Sequence, residues 1–139
     1  MKICATYQVG LKVLLKKGNE FLFLIERDGK SLDLPGGRID DTEHTVTLSA
    51  IMQREVCEEL GSEVRYTLGK PLFQFRRHIK AKGLHVFLTV YAAEFLSGEI
   101  VISDEHTGYQ WIQARDVEWN EESFVSREEF QAFKEYFES

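Results

Sequence analysis

The chain has 139 residues and a formal net charge of −6. That length fits one domain, residues 1–139, with enough chain for a real core, and 43% apolar with 29% charged residues excludes a disordered or coiled-coil chain. The acidic balance argues against duplex nucleic acid as a partner, which requires a basic face, but leaves room for a small anion bridged by a divalent cation.

Val9 to Leu15 is apolar apart from Gly10 and Lys12, and Phe21 to Ile25 is a continuous apolar run. These read as two strands, the second buried on both faces, joined by the hairpin chemistry of Lys17-Gly18-Asn19-Glu20. Pro35-Gly36-Gly37 then ends any regular element, and its glycines allow the backbone to approach a neighbour closely. A helical pattern runs from Thr47 to a natural stop at Gly61. Strands follow at Leu72 to Ile79 and Leu84 to Leu96, separated by the turn Lys80 to Gly83, and the apolar Leu84 to Ala93 belongs centrally in the sheet. Tyr109 to Ile112 is one more short strand. A last helix covers Ser126 to Phe137, with Ser126 and Glu129 forming a capping box and Phe130, Phe133 and Phe137 on one face. Strands, helix, strands, helix predicts an α/β fold, a mixed sheet with helices on its faces.

Cys4 and Cys57 have no metal-type spacing and read as free thiols of a reducing compartment. No apolar run approaches the ~18 residues of a membrane span, and no signal-peptide pattern opens the chain; the expected location is the cytoplasm, with no membrane partner.

The chemistry concentrates between Gly36 and Gly61. At about 100° per helical residue, Glu55, Glu58 and Glu59 share an arc of roughly 100°. Arg54 lies at ion-pairing distance from Glu58, and Met52, Val56 and Leu60 form an apolar stripe beside the carboxylates. Three carboxylates on one arc repel each other, and a bound cation relieves that repulsion. Mg²⁺ suits oxygen ligands shared with substrate phosphates, and Mn²⁺ accepts the same donors.

Pro-Gly-Gly, an acidic loop with Glu43, and then Arg54-Glu55-Val56-Cys57-Glu58-Glu59-Leu60-Gly61 resembles the signature of the MutT-like Nudix hydrolase family. Gly37 and Glu43 have the family's spacing, and Arg54, Glu55, Val56, Glu58, Glu59 and Gly61 match in order. Two departures stand out. Ten residues separate Glu43 from Arg54 where the family has seven, a three-residue extension placed within His44 to Thr47. The alternative is that Glu43 is not the equivalent of the family's loop glutamate. Ser62 replaces a usual apolar residue.

The resemblance implies a Nudix-type α/β/α sandwich and an enzyme acting on acid anhydrides in phosphorus-containing compounds. It implies Glu55 and Glu59 as metal ligands, Glu58 joining them, and a backbone carbonyl of Gly36 or Gly37 completing the site. Arg54 then orients the carboxylates, and Glu43 is an outer partner. Metal ions neutralise phosphate oxygens and acidify a water, whose proton goes to Glu55 or to the loop residue Glu105. The run Ser103 to Trp111, SDEHTGYQW, is similar to a segment of several Nudix hydrolases, including diadenosine tetraphosphate hydrolases; His106 within it reads as either a phosphate donor or a structural hydrogen-bonding residue. Arg38, Arg76 and Tyr109 are candidate substrate contacts, with Arg77, His78, Lys80 and Lys82 near Arg76. The expected substrate is a small nucleotide-like molecule with a diphosphate linkage: a nucleoside triphosphate, a dinucleoside polyphosphate or a nucleotide sugar. The competing reading is an inactive domain that binds a nucleotide as a sensor, against which stand the retained glutamates. A monomer and a homodimer both fit.

Overall fold

A computed structural model of the protein describes residues 1–117 and 119–139. The described residues form seven strands and two α-helices: β1 Gln8–Lys17, β2 Glu20–Ile25, β3 Leu32–Asp33, β4 Gly36–Arg38, α1 Leu48–Leu60, β5 Arg65–Ile79, β6 Leu84–Ser97, β7 Gly108–Gln113 and α2 Arg127–Glu138. The sheet runs β3-β2-β1-β6-β5, with β4 also on β1 and β7 also on β2. β1 pairs with β6 in parallel and with β2 and β4 antiparallel, so the sheet is mixed.

Residue alternation along β1 and β2 determines which helix each face receives. Leu11, Val13, Leu15, Leu22 and Leu24 point to one side and bury Ile51, Met52, Val56 and Leu60 of α1. Leu14 and Phe23 point to the other, where Phe130 and Phe133 of α2 pack with Phe75 and Phe124. Each such side chain contributes about 1.5–3 kcal/mol on burial, which is why a helix with little intrinsic stability stays docked.

The strand and helix assignments made above are met, with three differences. β5 begins at Arg65 rather than Leu72, and its pairing with β6 slips between Leu68 and Phe73. Gly69 and Pro71 break the alternation there, and Pro71 is tolerated because β5 is a sheet edge. Pro35-Gly36-Gly37 does not end regular structure: Gly36 and Gly37 form β4 against Leu11 and Lys12. Gly36 has φ +144°, and a Cβ there would strike the Leu11 backbone, so this close strand approach admits only glycine. The capping box on α2 is half formed. The Ser126 hydroxyl accepts from Glu129 N–H at 3.2 Å, but the Glu129 carboxylate is fully buried and accepts from Arg77 at 2.6 and 3.0 Å instead. No described helix is long and apolar enough to cross a membrane.

Candidate active site

The α1 helix is aimed at the β4 strand. Thr47 caps its N-terminus, its hydroxyl accepting from Ala50 N–H at 3.2 Å. Gly61 closes its C-terminus with φ 92°, a backbone state that few other residues adopt. The stripe of Ile51, Met52, Val56 and Leu60 fixes the helix's rotation, and this turns Glu55 and Glu59 inward.

Glu59 is 5% exposed, and its Oε1 accepts from Gly36 N–H at 2.9 Å. Glu55 is packed over Gly37 so closely that a Cβ there would fall within 2.6 Å of all three carboxyl atoms. Glycine at position 37 is therefore a requirement of Glu55, not of its own backbone. Arg54 binds the set together. Its Nε and Nη2 donate to both oxygens of Glu43 at 2.7 Å, and its Nη1 donates to Glu55 at 2.7 Å and more loosely to Glu58 at 3.3 Å. The paired geometry with Glu43 is the bidentate fork that favours arginine over lysine. Glu43 thus reaches Arg54 despite the three extra residues. Those residues lie in a turn outside the helix, where Val46 N–H donates to the Glu43 carbonyl at 3.1 Å.

Glu58 is separated from the other two. Its side chain is 58% exposed and touches only the rim of the Arg54 fork.

The segment between β6 and β7 hangs on the C-terminal end of α1. Val101 N–H donates to the Leu60 carbonyl at 2.9 Å and Ser103 N–H to the Glu59 carbonyl at 3.3 Å. Arg27 holds the Asp104 carbonyl, and Thr107 N–H donates to the Ile25 carbonyl at 3.0 Å. This brings exposed Glu105 and buried His106 beside Glu59, with ligand atoms of all three within 4.8 Å of one another.

Three residues essential to this geometry were not singled out as site residues from the sequence: Lys12, Glu26 and Asp33. Lys12 is 5% exposed and donates to Asp33 at 3.2 Å and to the Leu34 carbonyl at 3.1 Å, just before the Pro35-Gly36 turn. Asp33 also accepts from Arg77 at 3.1 Å, and Arg77 continues to Glu129. A lysine inside an apolar strand, and an aspartate between two leucines, were the available signals, since a buried charge requires a partner.

Burial dominates the titration of the site. It pushes the Glu59 carboxyl up to about 7, against the pull of Lys12 and the Gly36 N–H. Burial, reinforced by Asp33, likewise pushes Glu26 up to about 7. Glu55 is raised by burial, with Arg54 opposing. Burial acts on Asp33 too, but Lys12 and Arg77 override it and hold that carboxyl well below its usual range. His106 is lowered by burial, which favours neutral imidazole. Around the site stand Glu26, Asp33, Glu43, Glu55, Glu58, Glu59 and Glu105 against Lys12, Arg54 and Arg77, more carboxylates than cations.

That surplus fits a divalent cation. Glu59 and Glu55 lie against Gly36 and Gly37 and Glu105 lies beside Glu59, oxygen donors of the kind that hard cations select. Next to them His106 Nδ1 is buried without a partner.

Of the candidate substrate contacts, Arg38 lines an open cavity of about 820 Å³ that reaches Glu55 and also includes Tyr7, Gln8, Asp41 and His44. Its guanidinium donates to Gln8 at 2.8 Å. Arg76 is neutralised by Glu128 at 2.8 Å and also donates to Tyr7; it faces a separate cavity of about 310 Å³. Tyr109 is 39% exposed on β7, opposite Leu24, away from both. Phe73 and Phe75 pack on Phe133, as core.

Residues 6–133 match the family model of the NUDIX domain. The chain belongs to the NUDIX domain family, and its enzyme class is that of hydrolases acting on phosphorus-containing anhydrides. Among solved structures it is similar to a MutT NUDIX hydrolase from Burkholderia pseudomallei, at 26% identity and TM-score 0.65, covering 82% of this chain and 88% of that one. A UDP-X diphosphatase shares 14% identity with TM-score 0.69, covering 99% of this chain but 66% of the other. An ADP-ribose pyrophosphatase from Streptococcus suis shares 17% identity with TM-score 0.67, covering 96% and 91%. At those last two identities the likeness is one of fold. A comparison with curated proteins gives no match.

Proposed function

We propose that this protein is a Mg²⁺-dependent pyrophosphohydrolase that cleaves the diphosphate linkage of a small nucleotide-like substrate. The observation that carries this reading is the closed set Glu43–Arg54–Glu55 over Gly37, with Glu59 on the Gly36 N–H. An acidic helix without a function has no need to hold its carboxylates against two glycines at the cost of their desolvation.

Glu55, Glu59, Glu105 and the Gly36–Gly37 backbone would hold the cation, with exposed Glu58 contributing from the rim. When bound, the cation neutralises phosphate charge and raises the acidity of an attacking water. The protein's own groups do the rest. Arg54 fixes the Glu55 carboxylate through Oε1. Glu55 and Glu105 are the two carboxylates placed to receive a proton. Arg38 is the cation best placed to grip a phosphate in the large cavity, since its one side-chain partner is the neutral Gln8. Arg76, already paired, is a weaker contact.

That a UDP-X diphosphatase and an ADP-ribose pyrophosphatase share this fold supports a diphosphate flanked by a nucleoside. Nucleoside triphosphates and dinucleoside polyphosphates offer the same linkage. A phosphate-release screen across nucleoside triphosphates, dinucleoside polyphosphates, ADP-ribose and nucleotide sugars, with Mg²⁺ and with chelator, tests it. The expected result is hydrolysis of one class that chelator abolishes. Folded, metal-loaded protein that hydrolyses none of them would refute the reading.

A further inference from the structure

Among the described residues, the buried side-chain polar atom without a hydrogen-bond partner is His106 Nδ1. Such an atom is costly when left unsatisfied, and an ion is one of the few things that explains it. The side chain is 5% exposed, and Nδ1 points at Glu59 Oε2 across 3.6 Å. The other ring nitrogen, Nε2, lies 3.6 Å from Glu26 Oε1. The ring is thus strung between two carboxylates of different standing. Glu26 sits beside Asp33, whose oxygens are already taken by Lys12, Arg77 and Leu34 N–H. Glu59 sits beside the exposed Glu105, the carboxylate of this group that meets solvent.

We infer that His106 is a nitrogen ligand of the metal centre, so that Glu59, Glu105 and His106 form a mixed nitrogen–oxygen site. The arrangement follows the usual rule for ligating histidines, in which the second ring nitrogen gives its N–H to a carboxylate and so leaves the first as the lone pair. Here Glu26, half-buried and with Oε1 3.6 Å from Nε2, is that carboxylate. The loop that carries the ring is tied down on both sides: Thr107 N–H donates to the Ile25 carbonyl and Arg27 to the Asp104 carbonyl. An imidazole donor favours Mn²⁺ and later transition ions over Mg²⁺, relative to a site built of oxygens alone.

The inference rests on the metal-dependent reading above, and one experiment separates the two. Mn²⁺ alone is added to the metal-free full chain, and pulsed electron paramagnetic resonance reads whether a ¹⁴N nucleus couples to the ion. The expected result is a nitrogen coupling that changes in protein labelled with ¹⁵N-histidine and disappears in His106→Gln. Mn²⁺ affinity in that variant should fall by at least about 10-fold. His44→Gln is the control, because His44 is the imidazole lining the cavity beside Glu55; its coupling should be unchanged. Bound Mn²⁺ with no nitrogen coupling in the wild type would overturn the inference and leave the proposed hydrolase standing. A coupling that survives in His106→Gln would also overturn it. Absence of any Mn²⁺ binding would remove both. If His106→Gln fails to fold, the ¹⁵N-histidine spectra of the wild type and of His44→Gln still decide the matter.

Discussion

Glu59 faces two ways: one oxygen is engaged by the Gly36 N–H and the other looks toward His106. Glutamine in its place keeps an acceptor for Gly36 but removes the charge that a cation needs. Glu59→Gln should therefore fold with unchanged or raised melting temperature while turnover falls by more than about 100-fold, beyond the range seen for outer partners of metal ligands. Wild-type activity with metal present would remove Glu59 from the ligand set. Gly37 allows a sharper test of the same centre. Its backbone has no need of glycine, but the Glu55 carboxylate occupies the space of a side chain. Gly37→Ala should displace Glu55 and weaken Mg²⁺ binding, measured by calorimetry, with circular dichroism unchanged. Retained affinity would show that Glu55 does not need its place over Gly37.

The extended loop before α1 shows how an element can depart from a pattern and keep its contact. The sequence alone left Glu43 in question because ten residues separate it from Arg54. In the fold the added residues are a turn ahead of the Thr47 cap, and the Glu43–Arg54 fork forms regardless. Glu43→Gln should loosen that fork, free Arg54 to swing, and lower kcat by roughly 10–100-fold, the effect typical of an outer-shell partner. KM and the far-ultraviolet spectrum should change little; an unchanged kcat would show that Arg54 needs no anchor. The helices were legible because their signals are local: caps at Thr47, Gly61 and Ser126 and an apolar stripe. The first half of β5 was not, because Gly69 and Pro71 interrupt its alternation and its pairing slips there. Glu129 was misjudged as a cap for a related reason, since its spacing from Ser126 is local information whereas Arg77 is its partner across 52 positions.

At the scale of the whole molecule, the distribution of buried charge is what the sequence concealed most. The glutamates were readable from helical spacing and the family resemblance, and His106 from the Ser103 to Trp111 run, but Lys12, Glu26 and Asp33 join them through the sheet and not through any motif. Together they set a pH dependence whose sign can be derived. Glu26 and Glu59 titrate near 7 in the fold against 4.5 ordinarily, so the folded state holds protons that the unfolded chain has released. Their stabilisation is complete below about pH 4.5 and is lost as pH rises through 7; Glu55 and Glu129 are shifted the same way. His106 opposes them, since a depressed histidine costs stability as pH falls below 6.5, but it is one group against several. Asp28 and Asp33 are shifted downward, and their window lies below pH 4. Metal-free protein should therefore melt at a lower temperature at pH 8 than at pH 5.5. A cation inverts this, because it needs the ionised carboxylates that the apoprotein resists forming. Mg²⁺ at about 100 times its dissociation constant should stabilise by roughly 2.7 kcal/mol, a rise of roughly 10 °C in Tm at pH 8. At pH 5.5 protons compete for the same oxygens and the rise should nearly vanish. Differential scanning fluorimetry across both pH values, with and without Mg²⁺, reads all four states. A Tm independent of pH in the apoprotein would mean the carboxylates are not protonated in the fold, and an equal Mg²⁺ effect at both pH values would place the cation elsewhere.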